Sequence, residues 1–596
     1  MKDFVENTRL KSDTEIIKRL LLFAKKYLKQ FIIVLLLMFG SIALQVSPPI
    51  ITGIIIDRIF SPEYSDHDKI MLVIFISSIY IFVIFIIVFL LYFQNIILQK
   101  TGQAIVTDLR KQVYDHIVGL SIGQINSLPI GKLVTRVVND TNSLSEMFTN
   151  TIVNLLQSIL YMIGVYVILF IYSWKLTLIL TALLPIIVLS VVLFRKYSRY
   201  ANRQIKNNAS EINAFLSENM SGMKIIQIFN QEEKKKKEFE DKSLKLTKSY
   251  VREIIVFAIF RPFIYFMYII TLFLVLYYGI KEVNSAPTLF TYGMLYTVTN
   301  FIQTFFDPVQ NIAEQFNVLQ DSLSSAEKIF DVLDTKNEIV DKENAIELVN
   351  FTGHIEFINV SFSYVKSVQV LKNISFEINP GDTIALVGAT GSGKTTILGL
   401  LARNYDVDEG NILLDGIDIR DYTISSIRRN IGQMLQDVFL FNDTISKNLT
   451  LDNDSITPEE YKKAAEYVNA DKVINKLNLK YDHMVLERGN NFSSGEKQLI
   501  SFARTLAYKP RLLILDEATS NIDSETEVLI QESLSKMMSL STMIIVAHRL
   551  STIQHATKII VMQKGEIKES GNHQELLSLG GIYHSLYELQ YKDEIE

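Results

Sequence analysis

The chain has 596 residues, no cysteine, a formal net charge of -5 and 48% hydrophobic residues, with a mean hydropathy of +0.22. The missing cysteines exclude disulfides, thiolate metal sites and thiol redox sensing within the chain, and the small net charge gives no ground for a nucleic-acid partner. The apolar content implies a membrane protein.

The opening, MKDFVENTRLKSDTEIIKRL, is charged and lacks a short apolar core followed by a small-residue cleavage site. No removable signal peptide is expected, and the N-terminus is placed in the cytosol. Stretches apolar enough to cross a bilayer follow near 31–56, 70–98, 152–172, 176–194, 254–278 and 288–306, six in all. The second runs on into LQKTGQAIVTDLRKQVYDHIVGL, helical but too polar for lipid, so helices project beyond the membrane. Two connections, 99–151 and 195–253, exceed fifty residues, and three are short. Lys and Arg number 8 in the N-terminal arm, 5 and 14 in the two long segments, and 4 in the three short connections together. The long segments and the N-terminus are therefore expected on the cytosolic side. The lysine run 234–237 has acids on both sides and reads as a solvated helix face.

Span five places Phe257, Arg261, Tyr265 and Tyr268 on one face, and span six carries Tyr292, Tyr296, Asn300, Gln303 and Asp307 at helical spacing. Such polar, aromatic stripes should avoid lipid. They either line a cavity, which would make Arg261, Tyr265, Tyr292, Tyr296, Asn300 and Gln303 a substrate path, or hold neighbouring helices together. A helix, VLQDSLSSAEKIFDVLD, then leaves the membrane, and a polar stretch, TKNEIVDKENAIELVN, reads as a linker. From 351 short β-like runs alternate with amphipathic helical ones, as in an α/β domain. The expected division is a transmembrane domain over 1–325, a linker over 326–350 and a nucleotide-binding domain over 351–596.

GATGSGKT, residues 388–395, follows the apolar run 384–387 and precedes the helix-prone TTILGLLAR. That is the strand, glycine loop and helix order of a phosphate-binding loop, whose backbone N–H groups and helix N-terminus converge on an anion. Gly388, Thr390, Gly391, Ser392, Gly393, Lys394, Thr395 and Thr396 form the expected nucleotide-binding set, with Lys394 on the β- and γ-phosphates and Thr395 on Mg²⁺. Downstream, RLLILDE reads as a buried strand delivering Asp516 and Glu517 to its C-terminal edge. An acid at the first position can hold Mg²⁺ through water, and the second can orient and deprotonate the attacking water. His548 ends a further apolar run, MIIVAHR, where it could contact the γ-phosphate. Gln436, in MLQDVFLF, gains its meaning from position.

In this order the pieces resemble the nucleotide-binding domain of ATP-binding cassette (ABC) transporters, and the spans ahead resemble the membrane domain of its exporter branch. The resemblance covers nearly the whole chain. It implies an α-helical six-span transmembrane bundle with long cytosolic helix extensions, followed by an α/β P-loop nucleotide-binding domain. It also implies that Tyr364 stacks on adenine, that Gln436 is the Q-loop residue and a metal contact, that Asp516 is the magnesium acid and Glu517 the catalytic base, and that His548 is the switch histidine. Asp523, in SNID, matches the D-loop. ATP and Mg²⁺ are the implied cofactors.

The family signature, usually Leu-Ser-Gly-Gly-Gln, stands here as Phe492-Ser493-Ser494-Gly495-Glu496. In this family the signature of one subunit caps the ATP of the other, so Ser493 and Gly495 should approach phosphate. Glu496 brings a carboxylate near a polyanion, and two like charges about 8 Å apart at an effective dielectric near 20 repel by roughly 2 kcal/mol. Alternatively Glu496 faces the ribose hydroxyls and hydrolysis is intact. The first reading implies the catalytically competent half of a heterodimeric exporter, and the second a homodimer. The resemblance implies export of amphipathic or hydrophobic drugs, lipids or peptides across a bacterial cytoplasmic membrane, with membrane lipid around the bundle. An ATP-gated channel or regulatory ATPase is the reading from a different class. Motion is expected to reach the membrane through coupling helices near 128–136 and 220–229.

Overall fold

The computed structural model describes residues 13–60, 65–285, 290–365, 367–516, 524–546 and 553–593. The chain divides into two compact units, one comprising Met1–Gly119 and Leu128–Lys336, the other Leu120–Ser127 and Asn337–Glu596.

The first unit is helical: α1 (Asp13–Lys25), α2 (Leu28–Gln45), α3 (Ser47–Phe60), α4 (Asp66–Gly119) and, after the excursion α5 (Ile122–Ser127) into the other unit, α6 (Ile130–Thr135), α7 (Thr141–Glu146), α8 (Ile152–Tyr172), α9 (Trp174–Ser221), α10 (Met223–Ile228), α11 (Glu232–Ser285) and α12 (Tyr292–Leu333). Two π-helical turns, Arg136–Asp140 and Met147–Thr151, flank α7. With 54, 48, 54 and 42 residues, α4, α9, α11 and α12 are roughly 60–80 Å long at about 1.5 Å per residue, at least twice the ~30 Å of bilayer hydrocarbon. The expected cytosolic extensions are therefore continuous with the spans.

Among the described residues five stretches are long and apolar enough to cross a membrane: Leu28–Phe60, Asp66–Gly119, Ile130–Tyr172, Trp174–Ser221 and Glu232–Ser285. Among the described residues α12 is long enough but less apolar, because one of its faces is polar. Its other face packs Leu295, Val298, Phe301, Ile302 and Phe305 into a core shared with α8, α9 and α11. The extensions have a second core, in which Ile105, Leu109 and Val113 of α4 meet Ile16 and Leu20 of α1 and Ala326 and Phe330 of α12.

One crossing in this unit is made backbone to backbone. A Cβ on Gly293 of α12 would lie 2.0 Å from the carbonyl oxygen of Gly53 in α3. Beside it, Asp57 accepts hydrogen bonds from the Thr291 hydroxyl (2.6 Å) and the Gly293 amide (2.7 Å), so an α3 carboxylate sits on the N-terminus of α12.

The second unit holds two sheets. Its strands are β1 (Ile355–Phe362), β2 (Leu371–Ile378), β3 (Thr383–Val387), β4 (Glu409–Leu414), β5 (Ile417–Asp418), β6 (Ile431–Met434), β7 (Leu512–Asp516), β8 (Thr542–Val546), β9 (Lys558–Gln563) and β10 (Glu566–Gly571). The antiparallel sheet runs β2-β1-β4-β5, and the larger one β10-β9-β3-β8-β7-β6, parallel except for β10. TIALV in β3 and TMIIV in β8 are buried at every residue because both faces of the parallel sheet are covered. Register aligns Leu386, Val546 and Asp516 across β3, β8 and β7. The glycine loop and the first acid of the LDE run thus emerge at the same sheet edge, where parallel α/β sheets bind ligands.

The expected joint at 128–136 is corrected: those residues belong to the first unit, and Leu120–Ser127 joins the second. Gly123 explains the docking. A Cβ there would lie 2.4 Å from the Tyr405 ring, and buried Gln124 accepts from the Ser121 amide and hydroxyl and from the Glu338 amide. The other expected joint, 220–229, contains α10; Met220, Ile225, Ile228 and Phe229 are exposed there, and Met223 and Ile226 are half-buried.

Candidate functional site

The loop after β3 is built on positive-φ glycines. Gly388 has φ 152°, and a Cβ on it would strike the Met562 carbonyl oxygen at 2.1 Å; Gly393 has φ 104° and abuts Leu371. Neither tolerates a side chain, so the loop can curl tightly before the helix Lys394–Leu401. Lys394 is buried at 6% exposure, with Nζ donating to the carbonyls of Gly388 (2.7 Å) and Ala389 (3.2 Å). Burial pushes its pKa down, and the nearby Asp516 carboxylate opposes that shift. The structure therefore brings Lys394 and Asp516 into electrostatic contact. Ser392 is buried with no hydrogen-bond partner for its hydroxyl among the described residues, Thr396 is buried, and Thr390 and Thr395 are exposed.

Tyr364 donates its hydroxyl to Thr396 Oγ1 (3.1 Å) while its half-exposed ring stands edge-on to Phe362 and Tyr405, at 4.9 and 5.1 Å between centroids. Gln436 is exposed on the bend after β6. Glu517, Asp523 and His548 lie outside the described residues.

The altered signature has its own geometry. Ser493 caps the helix Ser494–Ala507: its hydroxyl accepts from the Glu496 amide (3.2 Å), and the Glu496 carboxylate accepts from the Ser493 amide (2.8 Å). Glu496 is thus turned back onto its own helix N-terminus in a capping box, an arrangement neither sequence reading considered. Gly495 is buried, and Ser494 is exposed. Arg504 braces the same helix, donating to the carbonyls of Asn448 (2.7 Å) and Phe439 (3.0 Å).

Of the expected substrate-path residues, Tyr265, Tyr292, Tyr296 and Gln303 are exposed and Asn300 is half-buried, its amide donating to the Tyr296 carbonyl. Arg261 pairs with Glu314 at 2.5 Å. Three residues with structural prominence were not found from sequence: Tyr405, Glu314 and Asp57. Only Tyr405 carried a signal, an aromatic directly after the loop helix.

This constellation is that of a membrane-embedded nucleotide-driven machine, and the comparisons agree. Residues 31–309 match the ABC transporter transmembrane region and 371–520 the ABC transporter domain. The chain is 38% identical over 513 residues to the "Probable multidrug resistance ABC transporter ATP-binding/permease protein YheH" of Bacillus subtilis, covering 84% of this chain and 75% of that one. It is 33% identical over 585 residues to the ATP-dependent lipid A-core flippase of Syntrophus aciditrophicus, covering 97% and 95%. Among solved structures it resembles a bacterial Atm1-family ABC exporter with ATP bound, with a TM-score of 0.81 and 25% identity, covering 94% of this chain and 98% of that one. The chain belongs to the ABC transporter family. It is an ATP-binding, multi-pass membrane protein with the half-transporter layout of one membrane region followed by one ATP-binding domain, and it hydrolyses ATP to drive transport.

Proposed function

We propose that the chain exports amphipathic or hydrophobic compounds, drugs or lipids, as one half of a dimeric exporter in a bacterial cytoplasmic membrane, with its N-terminus and nucleotide-binding domain in the cytosol. The observation that carries this reading is the convergence of the glycine loop, buried Lys394 and Asp516 at one sheet edge, in a chain that also carries membrane-length helices. The domain boundaries proposed are 1–325, 326–350 and 351–596, and α12 is proposed as a sixth span, its polar face turned from lipid.

In the proposed reaction Lys394 and the loop amides hold the phosphate chain. Glu517 takes a proton from water as the water oxygen bonds to the γ-phosphorus, and the bond to the ADP oxygen breaks. His548 contacts the γ-phosphate, Tyr364 supports adenine, and Ser493, Gly495 and Asp523 complete the site of the other half. The hydroxyl of Thr395, the carboxylate of Asp516 and the amide oxygen of Gln436 are hard oxygen donors that suit Mg²⁺. That ion, when bound, would offset phosphate charge.

We favour a heterodimer in which this chain supplies the competent loop and acids, because Glu496 places negative charge where a partner's nucleotide would meet the signature helix. The homodimer has one observation in its favour, the intact Ser493–Glu496 cap, which keeps that helix start ordered. ATPase activity of the chain purified alone, with Glu517→Gln as blank, separates them. Robust Mg²⁺-dependent turnover lost in the variant supports the homodimer. Near-zero turnover from a folded, ATP-binding protein, restored by a co-expressed second half, supports the heterodimer.

A further inference from the structure

The exposed faces of two long helices differ in kind. Along the first half of α4 the exposed side chains include Ile70, Ile74, Phe82, Phe85 and Phe89, the surface that lipid requires. Along α12 they are Tyr292, Tyr296, Gln303 and Asp307, on the side opposite the apolar core. Asp307 lies 15 residues beyond Tyr292, about 22 Å along the helix, at the inner end of the proposed sixth span. A carboxylate there faces water or a polar occupant, since exposure to acyl chains is costly.

The charges around this face are almost all satisfied. Arg261 is held by Glu314 at 2.5 Å, and Arg195 stacks over Phe316 at 3.6 Å. Asp57 is committed to the N-terminus of α12. Asp307, by contrast, has neither a hydrogen bond nor an ion pair among the described residues, and the phenol hydroxyls of Tyr161 and Tyr268 lie within its electrostatic reach. Tyr268 in turn stands edge-on to Phe306 and tilted against Tyr265, at 5.9 and 5.7 Å. The net character of the face is therefore one uncompensated negative charge beside aromatic rings. Arg261, the residue that would attract an anion, is already neutralised.

We infer that Asp307 selects cargo by charge and that the cargo is a lipophilic organic cation, an amine, quaternary ammonium or phosphonium, seated between this carboxylate and the tyrosine rings. This inference rests on the proposed export reading. An anionic amphiphile would meet unrelieved repulsion, and a neutral one would gain nothing from the carboxylate.

The test uses an isosteric pair, tetraphenylphosphonium and tetraphenylborate, on the full-length protein in nanodiscs, assembled with its second half if turnover requires one. Stimulation of ATP hydrolysis is read against concentration, with fluorescent-nucleotide binding as the fold control. The phosphonium should stimulate and the borate should not. Asp307→Asn should raise the half-stimulating phosphonium concentration at least tenfold, Asp307→Glu should keep the preference, and Asp307→Lys should reverse it. Equal stimulation by both ions, or an Asn variant with the wild-type preference, overturns the inference. So does an Asn variant whose only change is its oligomeric state, which would mean that a second copy covers the face. Uphill transport of neutral or anionic amphiphiles alone would overturn it while leaving export standing; no uphill transport of any amphiphile would remove the export reading as well.

Discussion

At Lys394 burial and charge act in opposite directions: the enclosing loop disfavours the ammonium, while two carbonyls and the Asp516 carboxylate favour it. A phosphate chain meeting that loop finds a cation already aimed by its own backbone. Lys394→Ala should lower ATP turnover at least 100-fold with little change in the unfolding midpoint, as measured by phosphate release and thermal denaturation. Glu496 gives a second residue-level expectation. Glu496→Gln preserves an acceptor for the Ser493 amide but removes the charge, so nucleotide affinity at the site this signature caps should rise, by up to about 30-fold if the full repulsion of roughly 2 kcal/mol is relieved. Glu496→Ala should instead cost about 1 kcal/mol of stability through the lost cap. The glycine loop was legible in the sequence because backbone curvature admits so few residues. The orientation of Glu496 was less so: the spacing Ser493 to Glu496 is a capping-box pattern in plain view, but a ligand-facing acid has the same spacing.

Among elements, the clearest joint within the membrane unit is the α3–α12 crossing. Gly53 and Gly293 allow the backbones to meet, and Asp57 then reaches the α12 N-terminus. Asp57→Ala should lower stability by about 1–2 kcal/mol in a thermal melt of the detergent-solubilised protein, and Gly293→Val should prevent accumulation of folded protein, because backbone atoms cannot yield to a side chain. The joint at Leu120–Ser127 is different in kind. Its Gly123 sits against Tyr405, whose ring also meets Tyr364 edge-on. Gly123→Val should therefore reduce substrate-stimulated ATP hydrolysis several-fold, with partial recovery when Tyr405→Ala makes room. The sequence reading placed this joint eight residues, about two helical turns, too far along, because the element is six residues long and its position depends on a steric fit to a ring almost 300 residues away.

For the whole molecule, patterning gave the helical membrane part and the α/β part in the right order, and the family match supports both. Among the described residues five stretches carry the apolar length a crossing needs, and α12 does not stand out in the same way. The polar stripe that weakens its membrane signal is the feature that makes it a candidate for lining a path. Partner choice was not legible, since the groups that would decide it act across two chains. The central claim is that hydrolysis at the Lys394 site drives cargo uphill. The most direct measurement is accumulation of a fluorescent amphiphile in inverted membrane vesicles, with and without ATP, for the wild-type chain and for Glu517→Gln. Accumulation against the gradient that requires ATP and disappears in the variant is predicted. Movement that only equilibrates the dye, or that persists in the variant, would contradict the account.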